Sequence, residues 1–184
     1  MLPGTMLRHR ERLGDAVLRC LETRMHIQGR SPRQLHVFDD PNRDERGWVL
    51  TVTHLDVLPL AELELGLRHG HAKLSPVTGI PGLPFGHDAI IAWAVDVVRE
   101  KYSQEPDPWD LLGSRFTVTQ LRELHDAVLG QPHKKDTFRR RMEPHLDALE
   151  QRATPPGSNG LGRPARIYRK RSEGDRVGSI MAQV

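Results

Sequence analysis

The apolar positions of this chain fall into separate periodic stretches with polar, turn-rich segments between them. Leu13, Ala16, Val17, Leu18 and Leu21 recur at spacings of one, three and four, which predicts an amphipathic helix over about Gly14–Met25. Residues 28–47 are rich in Gly, Pro, Asp and Asn and read as loop, and the β-branched run from Val49 to Leu58 reads as a strand. Residues 59–86 show no clear period. Ile90, Ile91, Ala94, Val95 and Val98 then make one stripe, predicting a helix over Asp88–Tyr102 with Arg99 and Lys101 at the cation-favouring end of its dipole. The stretch 103–115, with Pro106, Pro108 and Gly113, reads as an interdomain linker whose Trp109, Leu111 and Leu112 pack onto one domain.

Two more helices follow. Thr117 or Thr119 can cap the first, Leu121, Leu124, Ala127 and Val128 supply its buried face, and Gly130 with Pro132 ends it near Leu129. The second begins near Lys134 or Asp136 and turns Phe138 and Met142, four apart, to the core, so that Lys135, Arg139 and Arg140 fall largely on other faces. Pro144 stops or kinks it near Glu143. A short apolar segment (Leu146, Leu149), a Pro/Gly/Ser loop over 154–162 and a strand-like run with Ile167 and Tyr168 close the pattern.

Charge sharpens this division. Residues 130–171 hold eleven Lys/Arg against four acids, a net of +7, whereas residues 1–129 are at −3. The formal total of +3 therefore hides an acidic body and a cationic end, the asymmetry expected of a chain that meets a polyanion. Arginine outnumbers lysine 22 to 5, so base-composition bias accounts for part of the arginine content. At 184 residues the chain is long enough for one cored domain or two small ones. No apolar run is long enough to span a membrane, and the N-terminus fits neither a signal nor a transit peptide. The single cysteine, Cys20, excludes an intrachain disulfide and makes a reducing, cytoplasmic setting the default. His69, His71 and His87 lack the spacing of a metal site and read as loop histidines, and no cofactor is expected.

Helix, turn, helix and a basic β-loop are the ingredients of a winged helix-turn-helix. In such a unit the second helix enters the major groove, where Arg or Lys can bond guanine edges, and an arginine-bearing wing reaches phosphates or a narrow minor groove. Three arginines in a row would by themselves suit a solvated face. The second basic segment at wing distance favours DNA contact, and Tyr168 reads as core rather than contact.

Several segments also carry a resemblance. Gly4, Glu11 and Arg19 within LPG…E…DAVLRCLE look like a degenerate Nudix box, in which glutamates on one helix face bind the divalent cations that activate water against a diphosphate. Here Cys20, Thr23 and Arg24 stand where that pattern has glutamates, and His26 where it has glycine. An ordinary surface helix accounts for residues 4–27 equally well. Phe38, Asp40, Pro41, Arg43, Asp44, Arg46 and Gly47 resemble the phenylalanine, Asp-Pro turn and RDxRG motif of Nudix-like regulators, and FGHDAI resembles their FDHxxI stretch. The span FTVTQLRELHDAVLG…KKDTFRRRM…GRPARIYR is similar to the C-terminal domain of the Nudix-related transcriptional regulators of the NrtR type.

The resemblance implies an α+β chain, a partial Nudix-like α/β/α sandwich followed by a winged helix-turn-helix: the given residues begin at the LPGG-like turn, so either the true start lies upstream or the domain has lost part of its sheet. It implies an effector and dimerisation domain over 1–102, a linker over 103–115, a DNA-binding domain over 116–171 and a flexible tail over 172–184. It further implies a cytoplasmic homodimer that binds double-stranded DNA, most simply a repressor of NAD or related nucleotide or sugar metabolism genes, modulated by an ADP-ribose-like effector. Lys134, Lys135, Thr137, Arg139, Arg140 and Arg141 would belong to the recognition helix, Arg163 and Arg166 to the wing, and Arg43 and Arg46 to the effector site. With the box glutamates replaced, no catalysis is expected; the alternative is a Nudix-type pyrophosphohydrolase acting on a nucleoside diphosphate derivative. An RNA-binding use of the basic surface is weakened by the shortage of aromatic residues beside the arginine run.

Overall fold

The computed structural model describes residues 1–68, 73–79, 82–153 and 164–171. The chain divides into two compact units, Met1–Val97 and Val98–Val184.

In the first unit α1 (Leu13–Cys20) buries Ala16 and Cys20 and passes into one π-helical turn, Leu21–Met25, closed by His26 in the left-handed region (φ 53°). A left-handed residue at a helix end is ordinarily glycine, since a Cβ there is strained. Strands β1 (Arg33–Phe38) and β2 (Thr51–Leu55) pair antiparallel, with Phe38 opposite Thr51 and Arg33 opposite Leu55. β2 lies inside the expected strand, but β1 falls in a stretch expected to be loop. Its burial alternates only weakly, because a two-stranded ribbon leaves both faces partly wet and enforces no clean period of two. Helix α2 (Leu60–Leu67) was also not foreseen; it is built of good helix formers behind Pro59 but is only eight residues long. Helix α3 (His87–Gln104) matches the predicted helix to within two residues and runs on into the second unit.

The second unit is built from the end of α3 followed by β3 (Phe116–Thr117), α4 (Val118–Leu129), α5 (Lys135–Met142), β4 (Leu146–Ala153) and β5 (Ala165–Lys170). The strands form one antiparallel sheet in the order β3-β5-β4. Of the two expected candidates, Thr117 caps α4. Its hydroxyl accepts from the Gln120 amide while the Gln120 side chain accepts from the Thr117 amide, a reciprocal pair that satisfies two otherwise orphaned donors. Gly130 ends the helix at φ 70°. Phe116, Leu121, Phe138, Met142, Leu146 and Tyr168 make the core, with Leu112 and Val118 packed against it.

The stretch expected as a linker packs onto this unit, Leu112 against the core and Trp109 on Tyr102. Asp107 is fully buried at φ 41°; its carboxylate accepts from the Leu111 and Leu112 amides (3.0 and 2.8 Å) and from the Tyr102 hydroxyl (3.2 Å). Its carbonyl accepts from Lys170 of β5 at 2.9 Å. A carboxylate so satisfied is a structural nail, fixing the end of α3 and β5 to one turn. The tail over 172–184 lies outside the described residues.

Candidate nucleic-acid interface

Helix α5 presents two chemically opposite faces. Phe138 and Met142 are each 1% exposed, and successive residues rotate by about 100° around a helix. Arg140 therefore lies nearly opposite the core, with Thr137 and Arg139 beside it. Lys135 and Arg141 flank the buried stripe, and Lys134 is the N-cap. All six side chains are exposed. Arg139 donates to Glu143 at 3.1 Å, an exposed i,i+4 pair that screens part of its charge. The Arg141 guanidinium lies 5.6 Å from the centroid of the Phe138 ring. The outward side holds a shallow groove lined by Asp136, Arg139, Arg140, Glu143 and Pro144.

Aromatic contacts hold this helix in place. Phe138 meets His125 of α4 (centroids 5.0 Å, 75°) and His133 of the turn (5.5 Å, 62°) edge-on. His133 is oriented by Asp126, whose carboxylate takes its ring nitrogen at 2.7 Å and its amide at 2.8 Å. His125 is fully buried and edge-on to Tyr102 as well, and among the described residues neither ring nitrogen makes a hydrogen bond of normal geometry, its approach to the Tyr102 backbone being a weak one. Burial first, then the positive charge of Arg141 and His133, lowers its pKa from 6.5 to about 4. A histidine with a depressed folded-state pKa contributes stability that is intact above its unfolded value and lost as pH falls. Between about pH 6.5 and 4 the second unit should therefore lose roughly 3 kcal/mol, since each pKa unit is worth about 1.4 kcal/mol. Chemical denaturation across that window checks this, and His125→Phe should flatten the slope. Equal slopes for the two proteins would refute it. Glu11 and Asp44, held down to about 2 by Arg19 and Arg46, act only at lower pH.

The wing is the β4–β5 hairpin. Arg166 is exposed on β5, and Tyr168 two residues on is 3% exposed, in the core as expected. Arg163 and the wing tip lie outside the described residues. Arg152, directly opposite Arg166, was not singled out from the sequence, because only the strand register brings the two together.

In the first unit Arg43 and Arg46 have different fates. The Arg43 guanidinium donates to the Phe85 and Val49 carbonyls (2.8 and 3.3 Å) and to the Thr51 hydroxyl, so it braces the protein's own backbone. Gly86 sits against this arm: a Cβ there would lie 3.0 Å from Arg43 Cγ, at a φ of 65° that already favours glycine. Arg46 pairs with buried Asp44 at 2.7 Å, lies 4.6 Å from the centroid of the Phe85 ring, and is 73% exposed. Glu11, the first glutamate of the box-like pattern, is bound by Arg19 through two hydrogen bonds of 2.7 and 2.8 Å. Cys20 is buried, and the Thr23 hydroxyl donates to the Arg19 carbonyl. Among the described residues no group of three His, Cys, Asp or Glu side chains could hold a metal ion. His87 accepts the Leu2 amide on Nδ1 at 2.9 Å; His69 and His71 lie outside the described residues.

The second unit thus has the architecture of a winged helix-turn-helix. Residues 108–170 match the family described as the NrtR DNA-binding winged helix domain. Over 140 residues the chain is 26% identical to the ADPR responsive transcriptional repressor NtrR of Acinetobacter baylyi, covering 74% of this chain and 54% of that protein; it spans about half the length of this curated relative. Shewanella oneidensis NrtR complexed with a 27mer DNA superposes with a TM-score of 0.68 at 28% identity, over 88% of this chain and 74% of that one. A MutT/nudix family protein from Enterococcus faecalis shares the fold, at a TM-score of 0.57 and 24% identity over 90% of this chain and 72% of that one. The chain is α+β, matches an NrtR-type winged helix over residues 108–170, and is similar to NrtR-type regulators over most of its own length.

Proposed function

We propose that this protein is a DNA-binding transcriptional repressor that responds to an ADP-ribose-like nucleotide. The observation that carries the reading is α5: a helix locked to its core by Phe138 and Met142, with Lys134, Lys135, Thr137, Arg139, Arg140 and Arg141 exposed around it. A cationic helix of this size fits the major groove, and Arg166 on the hairpin beside it fits the adjacent backbone. The curated relative is named a repressor that responds to ADPR, and the Shewanella relative was solved on DNA. Control of NAD or related nucleotide or sugar metabolism genes, and a cytoplasmic setting, go with this reading. Among the described residues no helix is long and apolar enough to cross a membrane.

A homodimer joined through the first unit accounts for its apolar surface. Among the described residues the large exposed apolar side chains, with Trp48 at 72% and Leu50 at 59%, fall in that unit. The first unit takes the effector and dimerisation role expected of 1–102, and the second unit the DNA role expected of 116–171. The effector site centres on Arg46, whose exposed guanidinium is free at one edge to take a phosphate, while Arg43 shapes the loop beneath it. Catalysis by the first unit is not part of the proposal. Glu11 is bound by Arg19, and a guanidinium at position 24 repels the cations that a Nudix glutamate would attract.

Fluorescence anisotropy on promoter duplexes at two salt concentrations, with and without ADP-ribose, tests this. Competitor-resistant, salt-weakened binding that ADP-ribose shifts is the expected result. Absence of competitor-resistant binding would overturn the regulator reading, and Mg²⁺-dependent ADP-ribose turnover lost on Glu11→Gln or Glu22→Gln would favour the pyrophosphohydrolase.

A further inference from the structure

The wing hairpin manages its charges differently at its two ends. At the base Asp147 lies opposite Arg169 and takes ion pairs from Arg169 at 3.4 Å and Arg171 at 3.0 Å, while Lys170 pairs with Asp110. Toward the loop Arg152 lies directly opposite Arg166, and neither makes an ion pair or a side-chain hydrogen bond among the described residues. Glu150, the nearest carboxylate along β4, pairs with neither. Residues directly opposite in an antiparallel pair share a face, with Cβ atoms about 4.5–5.5 Å apart, and like charges there destabilise the ladder. That face is the one that buries Tyr168, because Arg166 precedes it by two residues. The register shifts between Ala148 and Arg152, and past that irregularity the cross-strand partners are these two arginines and then Ala153 with Ala165.

Arginine does not discharge at any ordinary pH, so the repulsion is permanent unless an anion is shared. We propose that Arg152 and Arg166 form a cross-strand clamp for one backbone phosphate of a bound duplex. The inference rests on the DNA-binding reading above. A phosphate between the two guanidiniums accepts charge-assisted hydrogen bonds from both and turns a repulsive rung into a bridged one. Arg152 is thereby a binding residue, and the hairpin is stiffened by the ligand it contacts.

Duplex affinity measured against salt for Arg152→Gln, Arg166→Gln and the double variant tests the clamp. Each single variant should lower the salt slope by less than one, because the remaining guanidinium still holds the phosphate, and the double variant by about one, because one phosphate is shared. An unchanged slope in the double variant, or a loss of about two, would overturn the clamp while leaving DNA binding intact; a wild type that binds no duplex would defeat the DNA reading and the clamp with it. Melting without DNA is the second test. Inorganic phosphate at constant ionic strength should raise the wild-type Tm more than that of either variant, and equal responses end the proposal. A phosphate response without a slope change assigns the pair to free phosphate and likewise overturns the duplex clamp.

Discussion

Arg139→Ala/Arg140→Ala is expected to weaken sequence-specific duplex binding by about thirtyfold or more while leaving the fold unchanged. Arg140 stands nearly opposite the buried stripe of α5, and Arg139 lines the same groove. A bidentate arginine–guanine contact is worth about 1–3 kcal/mol, so two lost contacts cost about 2 kcal/mol at the least. The folding cost should be small. Both side chains are exposed, and the one ion pair removed, Arg139–Glu143, is an exposed i,i+4 pair worth about 0.3–0.5 kcal/mol. Anisotropy on a selected duplex, alongside thermal melting, separates the two effects. Unchanged affinity would remove α5 from the interface, and a Tm that fell with the affinity would make the loss a folding effect.

Phe138→Ala should do the reverse, destabilising the second unit by about 3–5 kcal/mol and abolishing binding only through unfolding. The ring is 1% exposed, meets His125 and His133 edge-on, and belongs to the same core as Leu121, Met142 and Tyr168. Truncation leaves a cavity beneath α5, and a small domain has only about 5–15 kcal/mol in total. Urea unfolding followed by tryptophan fluorescence is a suitable reporter, since Trp109 stacks on Tyr102 within this unit at 5.8 Å. A loss below about 0.5 kcal/mol, the range of ordinary surface changes, would show that the ring does not anchor the helix.

The sequence alone determined the second unit well, for a physical reason. Its helices are amphipathic at one period and bounded by local chemistry: the Thr117–Gln120 capping box, Gly130 in the left-handed region and Pro144 after α5 each act within a few residues. Phe138, Met142 and Tyr168 were legible as core because period and polarity agree there. The clustering of arginines likewise needed no fold to be seen. Tertiary structure decided what depends on contacts distant in sequence. It made 103–115 part of a domain, because Asp107 gathers donors from three neighbours and its carbonyl takes Lys170 from 63 residues away. It divided Arg43 from Arg46, three residues apart in one motif, by closing the first onto the Phe85 carbonyl and leaving the second exposed. It revealed β1, whose two-stranded setting imposes no burial alternation, and it set Arg152 opposite Arg166, a pairing written only in the strand register. Local propensity and periodicity are properties of neighbouring residues, whereas a side chain's partner is fixed only when the chain has closed on itself.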